Sequence, residues 1–281
     1  MVKGSDKPGG NGDDTGDWAL YAHHRGRLTD AIVETVGATA APAGRLCLLG
    51  AGNCNDVDLA RLAQRFQEIH LVDIDAAALA RAASRQTPEA RARLHRHGGV
   101  DLSGLSPRLA AWKKQPPTFA DVEATAASGR DAILARLPGP FDVVASTCVL
   151  TQMAFKLTEV LGDDHLMIGP IRQDLIVAHL GTLLGLTAAG GAALFVCDLA
   201  SSNFYPLAEL PPERDLREVM TDIVDSEAFY QAANPTLIRR LLRRDDALRG
   251  RASEPELLDP WLWTGPLDRT YLVYALRLRR A

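Results

Sequence analysis

Residues 45–75 read RLCLLGAGNCNDVDLARLAQRFQEIHLVDID, and this segment decides the fold. It opens with a short apolar run suited to a buried strand and turns through the glycines of GAG. It then continues with apolar residues at the 3.6-residue period of a helix face. A second apolar run, residues 69–72, ends on Asp73. The segment therefore predicts one βαβ unit, whose parallel strands require a right-handed crossover.

The turn and the acid of this unit are suited to binding a nucleotide. Gly50 and Gly52 lack a Cβ, so a ligand can approach their backbone closely. Asn55, with Asp58 three residues later, is predicted to cap the helix and to leave its first N–H groups aimed at that ligand. Asp73 follows the glycines by about 20 residues, at a strand end where a carboxylate can accept both hydroxyls of a ribose. We therefore expect an adenosine-type nucleotide site.

The residue at position 55 distinguishes between two classes of nucleotide. A dinucleotide fingerprint has its third glycine there, whereas this chain has Asn55. The segment instead resembles the first motif of the class I S-adenosylmethionine-dependent methyltransferases. Three later stretches are similar to motifs of that family in the same order: VDID at 72–75, FDVVAS at 141–146 and LTAAGGAAL at 186–194.

The resemblance spans residues 45–198 and contains two departures from the family pattern. Leu48 replaces the acid that is usual in the first strand, and Cys54 replaces the third small residue of the loop. Both positions lie beside the methionine end of the cofactor in the family. The contacts to the cofactor's amino group therefore do not carry over directly.

The resemblance implies an α/β fold, with a Rossmann-like sheet of seven mostly parallel strands, an antiparallel last strand and helices on both faces. We expect a disordered tail at residues 1–16 and a single methyltransferase domain at 17–281. An N-terminal helix within 17–40 is expected over the cofactor pocket. A helical insertion at 206–259, before the final hairpin, is expected to form a lid.

Local patterns predict several further elements of this domain. The predicted helices are an alanine-rich one ending at Gln86 and others at 121–137, 170–186, 216–230 and 235–248. The predicted strands lie at 93–100, 141–146, 192–197, 261–263 and 270–278. Residues 146–152 follow the fourth strand at the carboxyl edge, where open α/β sheets bind ligands.

The implied activity is methyl transfer from S-adenosyl-L-methionine to a small-molecule acceptor, by in-line displacement at an O, N, S or C nucleophile. The sulfonium methyl is already electrophilic, so the protein mainly has to hold the nucleophile in line and exclude water. A general base is needed only if the acceptor carries a proton. This explains why no catalytic constellation is evident in the sequence.

The resemblance and the predicted strand ends assign candidate residues to this site. The cofactor-binding residues are expected to be Gly50, Ala51, Gly52, Asn53, Asp73, Ile74, Asp101, Leu102, Ser146 and Thr147. The candidates on the substrate side are Tyr21, Arg25, Thr151 and Gln152. The candidates for proton transfer are His165, Asp198 and Tyr205, and no catalytic residue is fixed by the pattern.

The composition narrows the class of partner and the compartment. The net charge is -4 and 47% of the residues are apolar, which favours a large core and argues against a nucleic-acid partner. The four cysteines are scattered, as in a reduced cytoplasmic protein, and no residues show the spacing of metal ligands, so no metal is expected. No apolar run reaches membrane-spanning length and no signal peptide opens the chain, so no membrane partner is expected.

Two alternative functions remain open from the sequence. A nicotinamide-dependent oxidoreductase would use a related sheet, although Asn55 and the predicted terminal hairpin argue against it. A non-catalytic methyltransferase-like binding partner would keep the fold without turnover, and Leu48 in place of the acid leaves this possible. The oligomeric state is not indicated by the sequence.

Overall fold

The computed structural model describes residues 17–36, 43–265 and 269–281. Its strands are β1 (Ala43–Leu49), β2 (Phe66–Val72), β3 (Leu94–His97), β4 (Phe141–Thr147), β5 (Thr187–Ser201), β6 (Glu256–Leu257), β7 (Trp261–Thr264) and β8 (Thr270–Arg279). They form one sheet in the order β3-β2-β1-β4-β5-β8-β6, and β7 also pairs with β8. The tail predicted at 1–16 lies outside the described residues.

The first five strands are parallel and β8 is antiparallel to β5. Two short strands pair with the other edge of β8, β7 along residues 270–273 and β6 at Leu276 and Arg277. Together they occupy one position of the sheet, so the eight strands fill the seven predicted positions. The predicted mostly parallel sheet with an antiparallel last strand is confirmed.

The first six helices lie before β4 in the chain. They are α1 (Asp17–Leu20), α2 (Ala22–Thr35), α3 (Leu59–Arg65), α4 (Ala76–Ser84), α5 (Pro88–Arg91) and α6 (Ser106–Lys114). The remaining helices are α7 (Phe119–Arg136), which also precedes β4, and α8 (Val149–Leu161), α9 (Ile168–Leu186), α10 (Leu216–Asp225) and α11 (Pro235–Arg244), of which α7 and α9 are the longest. None of the helices in these described ranges is both long and apolar enough to cross a membrane.

The core lies on both faces of the central strands. Successive residues Leu46, Cys47 and Leu48 of β1 have no exposed surface, so side chains on either face of the strand are covered. Helix α9 packs on β4 and β5 and against α7, and α2 also packs on β4 and β5. This double cover explains why the strands read as continuous apolar runs rather than as alternating ones.

One local prediction near the glycine turn is wrong, and one helix was missed. Helix α3 begins at Leu59 and is capped by Asp58, whose side chain accepts from Arg61 N, rather than by Asn55. The side-chain oxygen of Asn55 accepts from Arg85 Nη1 at 3.1 Å instead, so this residue belongs to the loop. Residues 149–152 begin helix α8, which was not predicted from the sequence.

Close backbone packing joins the loop after β3 to helix α7. Gly104 has a φ of +64°, and a Cβ added to Gly129 of α7 would lie 2.7 Å from the Gly104 Cα. A Cβ added to Gly26 of α2 would meet no atom within 4 Å. The two helical glycines therefore differ in the space around them and are otherwise comparable.

Alanine substitutions at these glycines are expected to act in opposite directions. Gly26→Ala should stabilise the chain by about 0.5–1 kcal/mol, because alanine favours a helix and the site is open. Gly129→Ala should destabilise it by about 1–3 kcal/mol, because the added methyl group forces the loop away. Urea unfolding of both variants measures this difference. Stabilisation by Gly129→Ala would contradict the close packing.

Candidate functional site

The glycine turn after β1 curls over the end of β2. Gly50 and Gly52 have φ values of +78° and +49°, which favour glycine. The amides of Gly50 and Ala51 both donate to Val72 O, at 2.9 and 3.1 Å. A Cβ on Gly50 would lie 2.5 Å from the Val149 Cβ. The turn is therefore held between the end of β2 and the first residue of α8.

Asp73 ties this turn to the second strand through its carboxylate. Its Oδ2 accepts from Gly52 N and its Oδ1 from Asp75 N, both at 2.8 Å. The residue is 8% exposed, and burial raises the pKa of its carboxyl group. A carboxylate offers about four lone-pair positions, so two remain for donors from a ligand.

A pocket of about 220 Å³ opens beside Asp73 at the carboxyl edge of the strands. Of the residues predicted for the site, Asp73, Ile74, Asp101, Leu102 and Gln152 line it. Its apolar wall comes from the loop before α6, from α6 itself and from α8: Val100, Leu105, Leu109, Val149, Met153 and Leu157. The pocket thus combines carboxylates with a broad apolar surface, as small-molecule sites do.

Asp101 is held in place by the turn that follows it. Its Oδ1 accepts from Ser103 N and Ser103 Oγ, at 3.0 and 2.6 Å, and its Oδ2 accepts from Ser106 N at 3.2 Å. These bonds fix the carboxylate at the mouth of the pocket and connect it to the first residue of α6. An acceptor position remains on Oδ2.

Four other predicted cofactor residues support the glycine turn or the core and do not line this pocket. Ser146 has no exposed surface and shares a 2.7 Å hydrogen bond with His179 Nε2 of α9. Thr147 Oγ1 donates to Leu49 O and Gly50 O. Ala51 and Asn53 are buried in the turn, where Asn53 Oδ1 accepts from Arg81 Nε.

The leading helices contact the loop that contains the turn. Arg25 Nη1 donates to Asn55 O at 3.0 Å and to Trp18 O at 2.9 Å, and the guanidinium carbon lies 3.5 Å from the centre of the Trp18 ring. The Tyr21 ring lies 4.9 Å from that of Trp263 and packs toward β7. Of these two predicted substrate-side residues, Arg25 is the one that reaches the turn.

The predicted proton-transfer residues occupy three different environments. His165 forms hydrogen bonds at both ring nitrogens: Nδ1 accepts from Met167 N, and Nε2 bonds to Trp112 O. The residue therefore joins α6 to the start of α9. Tyr205 is half-buried against the core. Asp198 is 3% exposed and accepts from Thr151 Oγ1 at 2.6 Å. Thr151 is therefore directed at Asp198 and not at the pocket.

The sheet order decides which nucleotide-binding fold this is. A dinucleotide-binding sheet runs 3-2-1-4-5-6 in parallel. Here the antiparallel β8 is inserted between β5 and the edge strands. The chain has the class I methyltransferase fold.

Several solved methyltransferase structures are remotely similar to the chain. A geranyl diphosphate methyltransferase in complex with SAM matches with a TM-score of 0.47 and 10% identity over 96% of this chain and 92% of that one. A SAM-dependent methyltransferase from Methanosarcina mazei matches with a TM-score of 0.45 and 9% identity, over 86% and 94%. An rRNA methylase from Streptococcus thermophilus matches with a TM-score of 0.39 and 11% identity, over 90% and 94%. No protein-family model and no curated protein matches the chain.

Asp56, in the loop after the glycine turn, is not among the site residues predicted from the sequence. The pKa of its carboxyl group is raised to about 7: burial and the negative charge of Asp73 raise it, whereas a backbone hydrogen bond and Arg25 oppose the shift. Burial raises the pKa of the Cys148 thiol after β4, and the negative charges of Asp198 and Asp56 add to that shift. The available signal was the first acid of the DVD stretch at 56–58, since only its second acid, Asp58, was considered, as part of the helix cap.

The titration of Asp198 gives the fold a defined pH dependence. Burial raises the pKa of its carboxyl group to about 7, whereas the bond from Thr151 lowers it. The folded state therefore binds more protons than the unfolded state between about pH 4 and pH 7, where an unfolded aspartate is already ionised. The free energy of unfolding should fall as the pH rises through this window.

Asp198→Asn is expected to reduce this fall by on the order of 1–4 kcal/mol, because the amide does not titrate. Thr151→Val should extend the fall to higher pH, because it removes the bond that favours the ionised carboxylate. The measurement is urea unfolding at about pH 5 and about pH 8. An Asp198→Asn variant with the wild-type slope would show that the buried carboxyl group is not the source.

Proposed function

We propose that the chain catalyses methyl transfer from S-adenosyl-L-methionine to a small-molecule acceptor. The observation that carries this proposal is the Asp73 carboxylate, held against the Gly52 amide at the edge of a pocket with an apolar wall. The sheet is of the methyltransferase type, and the turn allows the close approach of a ligand. The cofactor supplies an activated methyl group, and the residues of the chain bind, orient and shield it.

The nucleoside half of the cofactor suits the described pocket. The Asp73 carboxylate keeps acceptor capacity beside its bonds to Gly52 and Asp75, which suits the hydroxyls of a ribose. Ile74 and Leu102 offer apolar surface for an adenine ring, and Asp101 can accept from its amino group. Ile74 is 64% exposed, which is high for an isoleucine and is consistent with a surface that a ligand covers.

The acids around the turn favour a cationic ligand. Burial raises the pKa values of Asp56, Asp73 and Asp198, because a buried carboxylate is poorly solvated. A sulfonium and an ammonium group stabilise such carboxylates in their ionised form. A dinucleotide would bring an anionic pyrophosphate to the same turn, which the acids would repel. This charge distribution supports the sulfonium cofactor over NAD.

Asp56 takes the place of the missing first-strand acid in this proposal. Leu48 has no exposed surface and cannot meet a charged group. Asp56 lies in the loop after the turn, close enough to Asp73 and Arg25 for their charges to shift its pKa. We therefore assign the α-ammonium group of the cofactor to Asp56. We assign the cofactor's own carboxylate to the neighbourhood of Arg25.

Asp198 is the candidate to receive a proton from the acceptor. A general base works best with a pKa near the working pH, and burial places the pKa of Asp198 at about 7. His165 is less suited, because both of its ring nitrogens are engaged with backbone groups. Asp198 acts only where the acceptor carries a proton at the working pH.

The acceptor and the compartment are inferred from composition. A net charge of -4 is unfavourable for a nucleic-acid acceptor, which favours a small molecule. The four cysteines are all buried thiols, which suits a reducing cytoplasm. The pocket wall supplied by α8 includes Gln152 and Met153, and we assign this helix to the acceptor side.

Asp73→Asn tests the assignment of the cofactor site. The amide loses the charge and one acceptor oxygen, so affinity for S-adenosylhomocysteine should fall about tenfold to a hundredfold, the loss expected for a charge-assisted hydrogen bond. Titration calorimetry measures the change. Asp75→Asn is the matched control, since Asp75 caps α4 and asparagine also caps helices well. Its affinity should stay within about twofold of the wild type.

The same calorimetry separates the alternative functions. Binding of NAD without binding of S-adenosylhomocysteine would overturn the proposal in favour of an oxidoreductase. Binding of the cofactor without any formation of S-adenosylhomocysteine across a panel of small-molecule acceptors and rRNA would favour a non-catalytic role. Turnover with rRNA alone would keep the methyl transfer and reject the small-molecule acceptor.

Asp56→Asn should weaken binding of S-adenosylmethionine about tenfold to a hundredfold, because it removes the charge assigned to the ammonium group. Methylthioadenosine has the same nucleoside but lacks the amino-acid portion. It should bind the variant and the wild type equally, and competition calorimetry compares the two ligands. An equal loss for both would indicate that Asp56 supports the turn and does not bind the ammonium group.

A further inference from the structure

Three histidines and a glutamate meet on one face of the sheet at strands β2 and β3. Glu68 and His70 alternate along β2, and His95 and His97 alternate along β3. The register pairs His70 with His95 and Val72 with His97, so the four side chains lie on the same face. The rings of His95 and His97 are stacked on that of His70, with centroid distances of 4.6 and 5.2 Å.

This cluster has no part in the proposed methyl transfer. None of its residues lines the pocket beside Asp73. Its ligand-type atoms are close together: one atom from each of Glu68, His70 and His95 lies within 4.8 Å of the others. A group of imidazoles and a carboxylate at such distances is the donor set of a transition-metal site.

We propose that Glu68, His70 and His95 bind one divalent transition-metal ion, and that His97 orients His70 through a hydrogen bond to its Nδ1. The ion would join the edge strand β3 to β2 and stabilise that edge of the sheet. Because three protein ligands leave a coordination position open, a water molecule would complete a tetrahedral set.

The distances suit an ion with short bonds to nitrogen and oxygen. The His70 Nε2 and Glu68 Oε2 atoms are 3.2 Å apart. Two ligand atoms that each lie about 2.0–2.1 Å from a tetrahedral zinc ion are separated by about 3.3 Å. These two atoms therefore already stand at the separation required. His95 is exposed on the edge strand, and one of its ring nitrogens lies within 4.8 Å of the ligand atoms of Glu68 and His70.

Neighbouring groups orient the two ligands on β2. Arg45 Nε donates to Glu68 Oε2 at 2.9 Å and fixes the carboxylate. His97 Nε2 lies 2.9 Å from His70 Nδ1, which leaves His70 Nε2 directed at Glu68. Metal-binding histidines usually have such a partner on the second ring nitrogen, which sets the tautomer. With the ion bound, His70 Nδ1–H donates to His97.

The donor set indicates the class of ion. Imidazole nitrogen suits zinc, cobalt, nickel and copper, whereas magnesium and calcium prefer oxygen ligands. No metal was predicted from the sequence, because the four residues come as two pairs separated by helices α4 and α5. The pairing of β2 with β3 brings the two pairs of residues together. The register of two strands cannot be read from the spacing of residues along the sequence.

Zinc binding to the untagged full chain tests the proposal. The wild type should bind one Zn²⁺ per chain by calorimetry, gain thermal stability on binding, and give the intense visible absorption of tetrahedral Co²⁺. His95→Ala and His70→Gln should each weaken Zn²⁺ binding at least tenfold and remove the Co²⁺ spectrum. His95 is exposed, so its loss leaves the core unchanged.

Arg96→Ala is the matched control, because Arg96 lies between His95 and His97 on the opposite face of the same strand. It should bind Zn²⁺ with unchanged affinity and stoichiometry. Unchanged zinc binding in both histidine variants would overturn the proposal. An equal loss in Arg96→Ala, or the absence of stoichiometric binding in the wild type, would overturn it as well.

Discussion

The hydrogen bond from the Gly52 amide to the Asp73 carboxylate is the contact on which the site depends. It joins the turn after β1 to the end of β2, and these two strands pair in register up to Leu49 and Val72. Val72 O accepts from the amides of Gly50 and Ala51, so two further hydrogen bonds hold the turn to the end of β2. A longer side chain at Gly50 would displace α8 through Val149 and open this edge.

The parts of the fold that the sequence predicts correctly have local signals. The apolar runs of β1 and β2, the glycines between them and the terminal Asp73 lie within one segment, so periodicity and turn chemistry suffice to define the βαβ unit. The antiparallel β8 was also predictable, since an aromatic and apolar run follows a turn containing glycine and proline. The pocket residues Asp73, Ile74, Asp101 and Leu102 follow from their positions at strand ends.

The remaining features depend on packing or register. Helix α8 starts directly after Cys148, which has a φ of +48° and provides no side-chain cap, so the usual signal of a helix start is missing. Ser146 and Thr147 were expected at the cofactor because they end a strand. Alternation directs Ser146 to His179 in the core instead, while Thr147 bonds to the turn. The site roles assigned to these residues from the family resemblance stay predictions.

The acids at the carboxyl edge offer a reason why the turn could favour a cationic cofactor although β1 has Leu48 where the family has an acid. Each carboxyl group is stabilised in its neutral form by burial, and the negative charge of Asp73 adds to the raised pKa of Asp56. A positive ligand between them would reverse this effect, because it favours ionisation of both groups. In the proposed function, cofactor binding and proton release are therefore coupled, because the sulfonium and ammonium groups would offset the desolvation cost of the acids. The same acids would repel a pyrophosphate, so the proposed site would discriminate between nucleotides that a glycine turn alone would accept.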